Sequence, residues 1–356
     1  MKNFEEFLNV KTKDIEAMTE EQREKYFDKC RAYCRVLGEE VSPGRILFQR
    51  TVGGMQHKYQ TVIDPNDEEV VKGKDKKKRY DVIIEGLENI PDDGCIIATN
   101  HTNAHDAFTI AGILYERGVP FSIMGAKDGI SPIAKTLLDW AGTTLIDRTD
   151  PISSRNGLYE FCSKVENGYA GVILPEGTWN FHPTEKMLNF WPGVIKAAAI
   201  SGSRDVKSVR TYGKPLIPMI MEYIEKQDIV GSEKELYETC YVKIGTPIYI
   251  NPKSDLEKER QSLRATMIKM REEVQEKCNG KVIRSLDEVD PELYINHTWL
   301  RAYGTPIPYP YADEVYRIYV EPGKTRENMF CLDSNGKLVP GQIPIGLRKK
   351  PPFYKG

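Results

Sequence analysis

The sequence predicts an α/β fold: a mixed, largely parallel central sheet flanked by helices, with a helical extension before it and an irregular one after it. Three observations predict this. Between Tyr80 and Cys278 short apolar runs alternate with segments long enough for helices, the pattern of strands joined by crossovers. Several runs end in polar stretches rich in chemically competent residues, and open α/β sheets gather ligands beyond the carboxyl ends of their strands. A periodic helical segment then closes the unit at Asn279-Gly280, a stop signal.

Residues 1–79 form the N-terminal extension. Its first clear helix opens at "TEEQ", where Thr19 and Gln22 fit a capping box, and carries Tyr26, Phe27, Cys30, Tyr33, Cys34 and Leu37 at helical spacing before Gly38. That stripe needs a partner, and packing on the main domain suits it better than dipping into a membrane. Residues 72–79, "KGKDKKKR", hold six basic residues against one acid. They read as a solvated loop or as a patch attracted to anionic headgroups.

The main domain, 80–280, offers the runs "YDVIIEG", "CIIAT", "PFSIM", "TTLID", "AGVILP", "PLIPMIM" and "CYVKIGTPIYI" as strands, with helices expected over 106–117, 132–141 and 153–167. The closing helix, "SDLEKERQSLRATMIKMREEVQEKCNG", sets Leu256, Leu263, Met267, Met270, Val274 and Cys278 on one face. Residues 281–356 are rich in Pro, Tyr and Gly, with a turn expected at "DSNGKL", and read as an appendage or an interaction surface.

Composition narrows the function. Fifty basic and 52 acidic residues leave a formal charge of −2, so the whole molecule has no drive toward nucleic acid. The seven cysteines are scattered without CxxC spacing and read as reduced thiols, which places the protein in the cytoplasm. No run approaches the length needed to span a bilayer, and the start "MKNFEEFLNVKTKDIEA" has neither the basic nor the apolar region of a signal peptide. Work on lipid would proceed from the membrane surface.

Four polar stretches follow strand-like runs: "NHTNAHD" (100–106), "GAKDG" after "PFSIM", "DRTD" after "TTLI", and "PEGTWN" after "GVIL". His101 and Asp106 are five apart, about 500° around an ideal helix, so they meet only across a turn. If His101 lies in the turn and Asp106 in the opening helix, the carboxylate fixes one imidazole nitrogen and puts the lone pair on the other, a base for deprotonating a hydroxyl. The alternative pairs His101 with His105, i and i+4, as metal ligands, with a third from Asp106, Glu176 or His182. His105 as an ordinary polar residue is the third reading. Gly177 allows close backbone approach, and N–H groups of that turn with the Thr178 hydroxyl suit a phosphate or carboxylate. Lys127 and Arg148 would supply positive charge, or else sit in surface ion pairs.

These blocks, in this order, resemble the glycerolipid acyltransferase family that includes the bacterial 1-acylglycerol-3-phosphate acyltransferases. The family's His-x4-Asp motif is similar to His101 through Asp106, preceded by Asn100. Its strand ending in Asp-Arg resembles "GTTLIDR" with Arg148, and the lysine before that block is similar in position to Lys127. Its Pro-Glu-Gly-Thr-Arg block resembles "LPEGTW", with Glu176, Gly177 and Thr178, although Trp179 stands where the family usually has Arg. Its strand proline resembles Pro218 in "PLIPMI".

The resemblance covers about residues 80–278. It implies a glycerol-3-phosphate acyltransferase-like fold, His101 as general base on the acceptor hydroxyl, and Asp106 as its orienting partner. It implies that Lys127, Arg148, Gly177 and Thr178 hold the acceptor phosphate while Glu176 organises the turn. No metal and no bound cofactor are implied, with acyl-CoA or acyl-carrier protein as co-substrate. The expected activity is O-acyl transfer to a lysophospholipid in phospholipid biosynthesis, on an anionic membrane surface at the cytoplasmic face. Contact with that surface is expected from the basic run, the N-terminal helix, or exposed apolar residues such as Phe190 and Trp191. A non-catalytic lipid-binding protein and a metal-dependent hydrolase using His101 and His105 are the alternatives.

Overall fold

A computed structural model describes residues 10–37, 43–57, 60–63, 80–101, 106–126, 132–147, 150–177, 186–187, 189–201, 214–230, 233–278, 330–332 and 338–340. Its centre is an eight-stranded sheet. The strands are β1 (Gln60–Ile63), β2 (Tyr80–Glu85), β3 (Cys95–Thr99), β4 (Phe121–Ala126), β5 (Thr144–Ile146), β6 (Ala170–Ile173), β7 (Leu216–Val230) and β8 (Glu233–Ile244), ordered β1-β2-β8-β7-β3-β6-β4-β5. Every neighbouring pair is parallel except β7 with β8. Strands β3 to β7 therefore run one way and β1, β2 and β8 the other, as the mixed, largely parallel sheet predicted from the sequence requires.

The "CIIAT" run explains why β3 sits in the middle. All five residues are buried, and alternate residues serve opposite faces, as the pleat demands. Ile96 and Ala98 join a core with residues of α2 (Glu20–Leu37), α6 (Pro151–Glu166), α7 (Gly193–Ile200) and α8 (Leu256–Lys277). Cys95 and Ile97 join the opposite core with α4 (Asp106–Arg117). The fold is thus a three-layer sandwich.

The predicted capping box of α2 is present: Thr19 N–H donates to Gln22 Oε1 (3.0 Å) and Gln22 N–H to Thr19 Oγ1 (3.3 Å). Tyr26, Phe27, Cys30 and Cys34 are buried in the same core as Tyr159 and Phe161. Arg31 donates from Nε to the Ile200 carbonyl (3.0 Å) and from Nη2 to Ala199 (3.2 Å), capping the end of α7. The helix that needed a partner has found one, so Tyr26, Phe27, Cys30 and Cys34 are not available to lipid, while Leu37 at its end is exposed.

Closing helix α8 has Asp255 as its N-cap, accepting from Glu257 and Lys258 N–H, and all six of its predicted face residues are buried. Helices at Asp106–Arg117, Pro132–Trp140 (α5) and Pro151–Glu166 match the predicted segments to within two residues.

Other readings change. No element was expected before Tyr80 beyond α2, yet α1 (Thr12–Glu16), α3 (Pro43–His57) and β1 are present. The Gln49 side chain in α3 exchanges hydrogen bonds with the Phe121 backbone at 2.8 and 3.2 Å, and Gly53 lets the helix approach the Tyr115 ring closely. Strands β7 and β8 extend into an antiparallel ribbon through charged sequence that carries no apolar alternation to announce it. β8 ends at Ile244, because Gly245-Thr246-Pro247 interrupts the run and proline has no N–H for a ladder; Ile248 regains only a bridge to Leu216. Phe190, expected to be exposed, is 3% exposed and belongs to the core. The basic run 72–79 lies outside the described residues. So does most of 281–356, where antiparallel strands β9 (Phe330–Leu332) and β10 (Leu338–Pro340) flank the expected turn.

Candidate active site

Because β3, β4, β5 and β6 are parallel, their carboxyl ends share one edge. On that edge β3 stops at Thr99, Asn100 and His101 follow, and α4 begins at Asp106. His101 Nδ1 lies 2.7 Å from Asp106 Oδ2. Asp106 is fully buried, while a quarter of the His101 side chain is exposed. The carboxylate occupies the first turn of α4, where the positive end of the helix dipole favours a negative charge. With Nδ1–H donated to that carboxylate, Nε2 is the ring nitrogen that carries the lone pair.

The turn after β6 reaches the same point. Glu176 is fully buried, and its Oε1 accepts from the His101 backbone N–H at 3.3 Å. Gly177 has φ +74°, a left-handed conformation that side chains with a Cβ adopt at a cost. Its N–H donates to the Leu174 carbonyl at 2.9 Å, and a Cβ built there would lie 2.7 Å from the indole nitrogen of Trp191. Trp191 in turn donates its backbone N–H to Pro175 (2.8 Å). Thus His101, Asp106, Glu176 and Gly177 form one cluster, with Trp191 over the glycine.

Other candidates stand differently. Lys127, Arg148, Thr178, Trp179, His105 and His182 lie outside the described residues. Lys127 directly follows β4, and Arg148 comes two residues after β5. Among the described residues no group of three or more His, Cys, Asp and Glu side chains could hold a metal ion, and no helix is long and apolar enough to cross a membrane.

Two supporting features escaped sequence reasoning. The Asn100 amide both donates to and accepts from the Met221 backbone, each at 2.8 Å. The Tyr223 hydroxyl donates to Thr109 Oγ1 at 3.1 Å, tying β7 to α4. Partners more than 100 residues apart leave no spacing signal, although the run "CIIATN" does put an amide where a strand ends. Trp191 was read from the sequence as an exposed apolar residue. It is 61% exposed, yet its place over Gly177 makes it part of the site.

Residues 81–222 match the family model described as Acyltransferase. Among solved structures the chain is similar to the 1-acyl-sn-glycerophosphate (LPA) acyltransferase PlsC from Thermotoga maritima, with 19% identity and a TM-score of 0.42 over 72% of this chain and 98% of that one. No curated protein matches the chain. The matched residues, 81–222, include His101, Asp106, Glu176, Gly177 and Met221, so the part of this chain that is similar to the Acyltransferase family is the part that builds the cluster.

Proposed function

We propose that the protein transfers a fatty acyl group from a thioester donor, acyl-CoA or acyl-carrier protein, to a hydroxyl of a lysophospholipid such as 1-acylglycerol-3-phosphate. The observation that carries this reading is the 2.7 Å contact of His101 Nδ1 with fully buried Asp106, in a segment that matches the Acyltransferase family model. Asp106 holds the imidazole in the tautomer whose Nε2 accepts the proton of the acceptor hydroxyl. The resulting oxygen attacks the thioester carbonyl. Collapse of the tetrahedral intermediate expels the thiolate, which takes the proton back from the imidazolium.

Glu176 anchors the His101 backbone, so the base and the glycine turn are set relative to each other. Lys127, Arg148, Gly177 and Thr178 form the acceptor-phosphate subsite, the two cations by charge and Thr178 by its hydroxyl, while Gly177, whose own N–H is given to Leu174, shapes the turn. No metal and no bound cofactor take part. The enzyme works as a peripheral protein at the cytoplasmic face of an anionic membrane, where its acceptor resides.

The test is acyl transfer from labelled acyl-CoA and acyl-carrier protein to a panel of lysophospholipids, with products identified by mass spectrometry. Product with lysophosphatidate supports the acceptor class, and product confined to another headgroup corrects it. Liposome binding without turnover for any pair would favour a lipid-binding protein instead.

A further inference from the structure

Helix α8 carries Arg260, Arg264 and Arg271, at spacings of four and seven, on one face. All three donate to backbone carbonyls of the stretch that follows the glycine turn. Arg260 Nη1 reaches Phe190 at 3.0 Å, Arg264 Nη2 reaches Met187, and Arg271 Nη1 reaches Lys186. Arg271 also donates from Nε to Glu222, and both side chains of that pair are largely buried. Lys186 is held a second time by Glu272, at 2.8 Å.

We propose that the buried Glu222–Arg271 pair is a positioning element for acyl transfer, setting the Glu176–Gly177 turn against His101. The proposal rests on the acyl-transfer reading above. Two contact paths leave the pair, and one ends on the residue before His101 while the other ends on the His101 backbone N–H. Along one, Glu222 follows Met221, whose backbone is locked to Asn100, the residue before His101. Along the other, Arg271 holds the Lys186 carbonyl while its neighbours on α8 hold Met187 and Phe190. Trp191 then bonds Pro175 and covers Gly177, and Glu176 accepts from the His101 N–H.

Burying a guanidinium and a carboxylate is costly, and apolar residues of similar volume often serve a fold as well. Met187 and Phe190 already supply such packing here, both buried in the core. What the ion pair adds is a fixed distance and direction between β7, which holds the base, and α8, which holds the turn. Misplacement of a binding group by about 1 Å can cost on the order of 100-fold in rate, so this fixed geometry has a catalytic use.

The experiment measures kcat and KM for lysophosphatidate at saturating donor, and donor KM at saturating lysophosphatidate, in wild type, Glu222→Gln and Arg271→Lys, with folding checked by thermal melting. The expected result is an acceptor KM raised about tenfold, with kcat changed less and donor KM unchanged, the signature of a disturbed acceptor subsite. Arg264→Gln removes one carbonyl contact, leaves the buried pair intact and keeps the test open if the other variants fail to fold; its acceptor KM should rise about threefold. Acceptor KM within twofold of wild type in every folded variant, with only the melting temperature lowered, would overturn the proposal. Absence of transfer by wild type would instead remove the acyl-transfer reading on which it rests.

Discussion

Asn100 closes two 2.8 Å hydrogen bonds with the backbone of Met221, its amide standing in for a main-chain rung. The β3–β7 ladder has its last pair at Thr99 and Met219. One residue later the ladder has ended, and the Asn100 side chain continues the pairing. His101 is thereby delivered at a fixed height above the sheet.

Asn100→Ala should leave both Met221 backbone groups unpaired in a buried setting. Each orphaned group costs about 1–3 kcal/mol, so a loss of roughly 2–6 kcal/mol is expected in urea unfolding. Asn100→Asp should fare no better, because a carboxylate cannot donate to the Met221 carbonyl. A loss under about 1 kcal/mol for the alanine variant would show that the lock contributes little.

Gly177→Ala combines two penalties, a left-handed backbone at φ +74° and a collision with the Trp191 indole. The conformational part costs about 1–2 kcal/mol, and turnover should fall by about tenfold or more if that strain moves the turn. Adding Trp191→Ala should restore part of the loss, since it relieves the collision but not the backbone strain. Equal activity of the single and double variants would contradict this account.

Phe27→Ala should destabilise the protein by about 3–5 kcal/mol, because Phe27 is fully buried in the core shared with α6 and α7. The N-terminal helix then behaves as part of the domain. Denaturant unfolding that changes by less than about 1 kcal/mol would mean that it does not.

Alkaline pH should destabilise the fold. Burial pushes the Cys30, Cys95 and Cys278 thiols up to about 11, 12 and 12, and it pushes the Tyr26 and Tyr159 phenols up too. These groups keep their protons in the folded state after the unfolded chain has lost them. Their contribution is therefore full below about pH 8.5, the ordinary thiol value, and is lost as pH rises through the folded values. Burial holds Lys196 down at about 8, which acts the other way as pH rises above 8, but it is one group against five. The melting temperature in reducing buffer should fall between pH 9 and 11, whereas a flat or rising profile would contradict the burial of these groups.

Much of the fold could be read locally. "CIIAT" is apolar up to its final Thr99 because both of its faces are covered, and the α8 stripe is buried residue for residue as its period requires. The ribbon of β7 and β8 could not be read, because charged sequence hides a strand whose partner is its own neighbour. Within the site, His101 and Asp106 stand five apart in the sequence and meet at 2.7 Å, so the pair is visible in the chain. Asn100 with Met221 and Glu176 with His101 join segments distant in the chain, which only the sheet order brings together, and Trp191 reaches Gly177 within the connection that follows β6.

Steady-state acyl transfer to lysophosphatidate by wild type, His101→Ala and Asp106→Asn tests the central claim most directly. The account predicts turnover by wild type and a loss of about 100- to 10,000-fold in His101→Ala, the usual worth of a general base. Asp106→Asn, which keeps the shape but removes the charge that fixes the tautomer, should be impaired with its fold intact. Wild-type rates in His101→Ala would contradict the account.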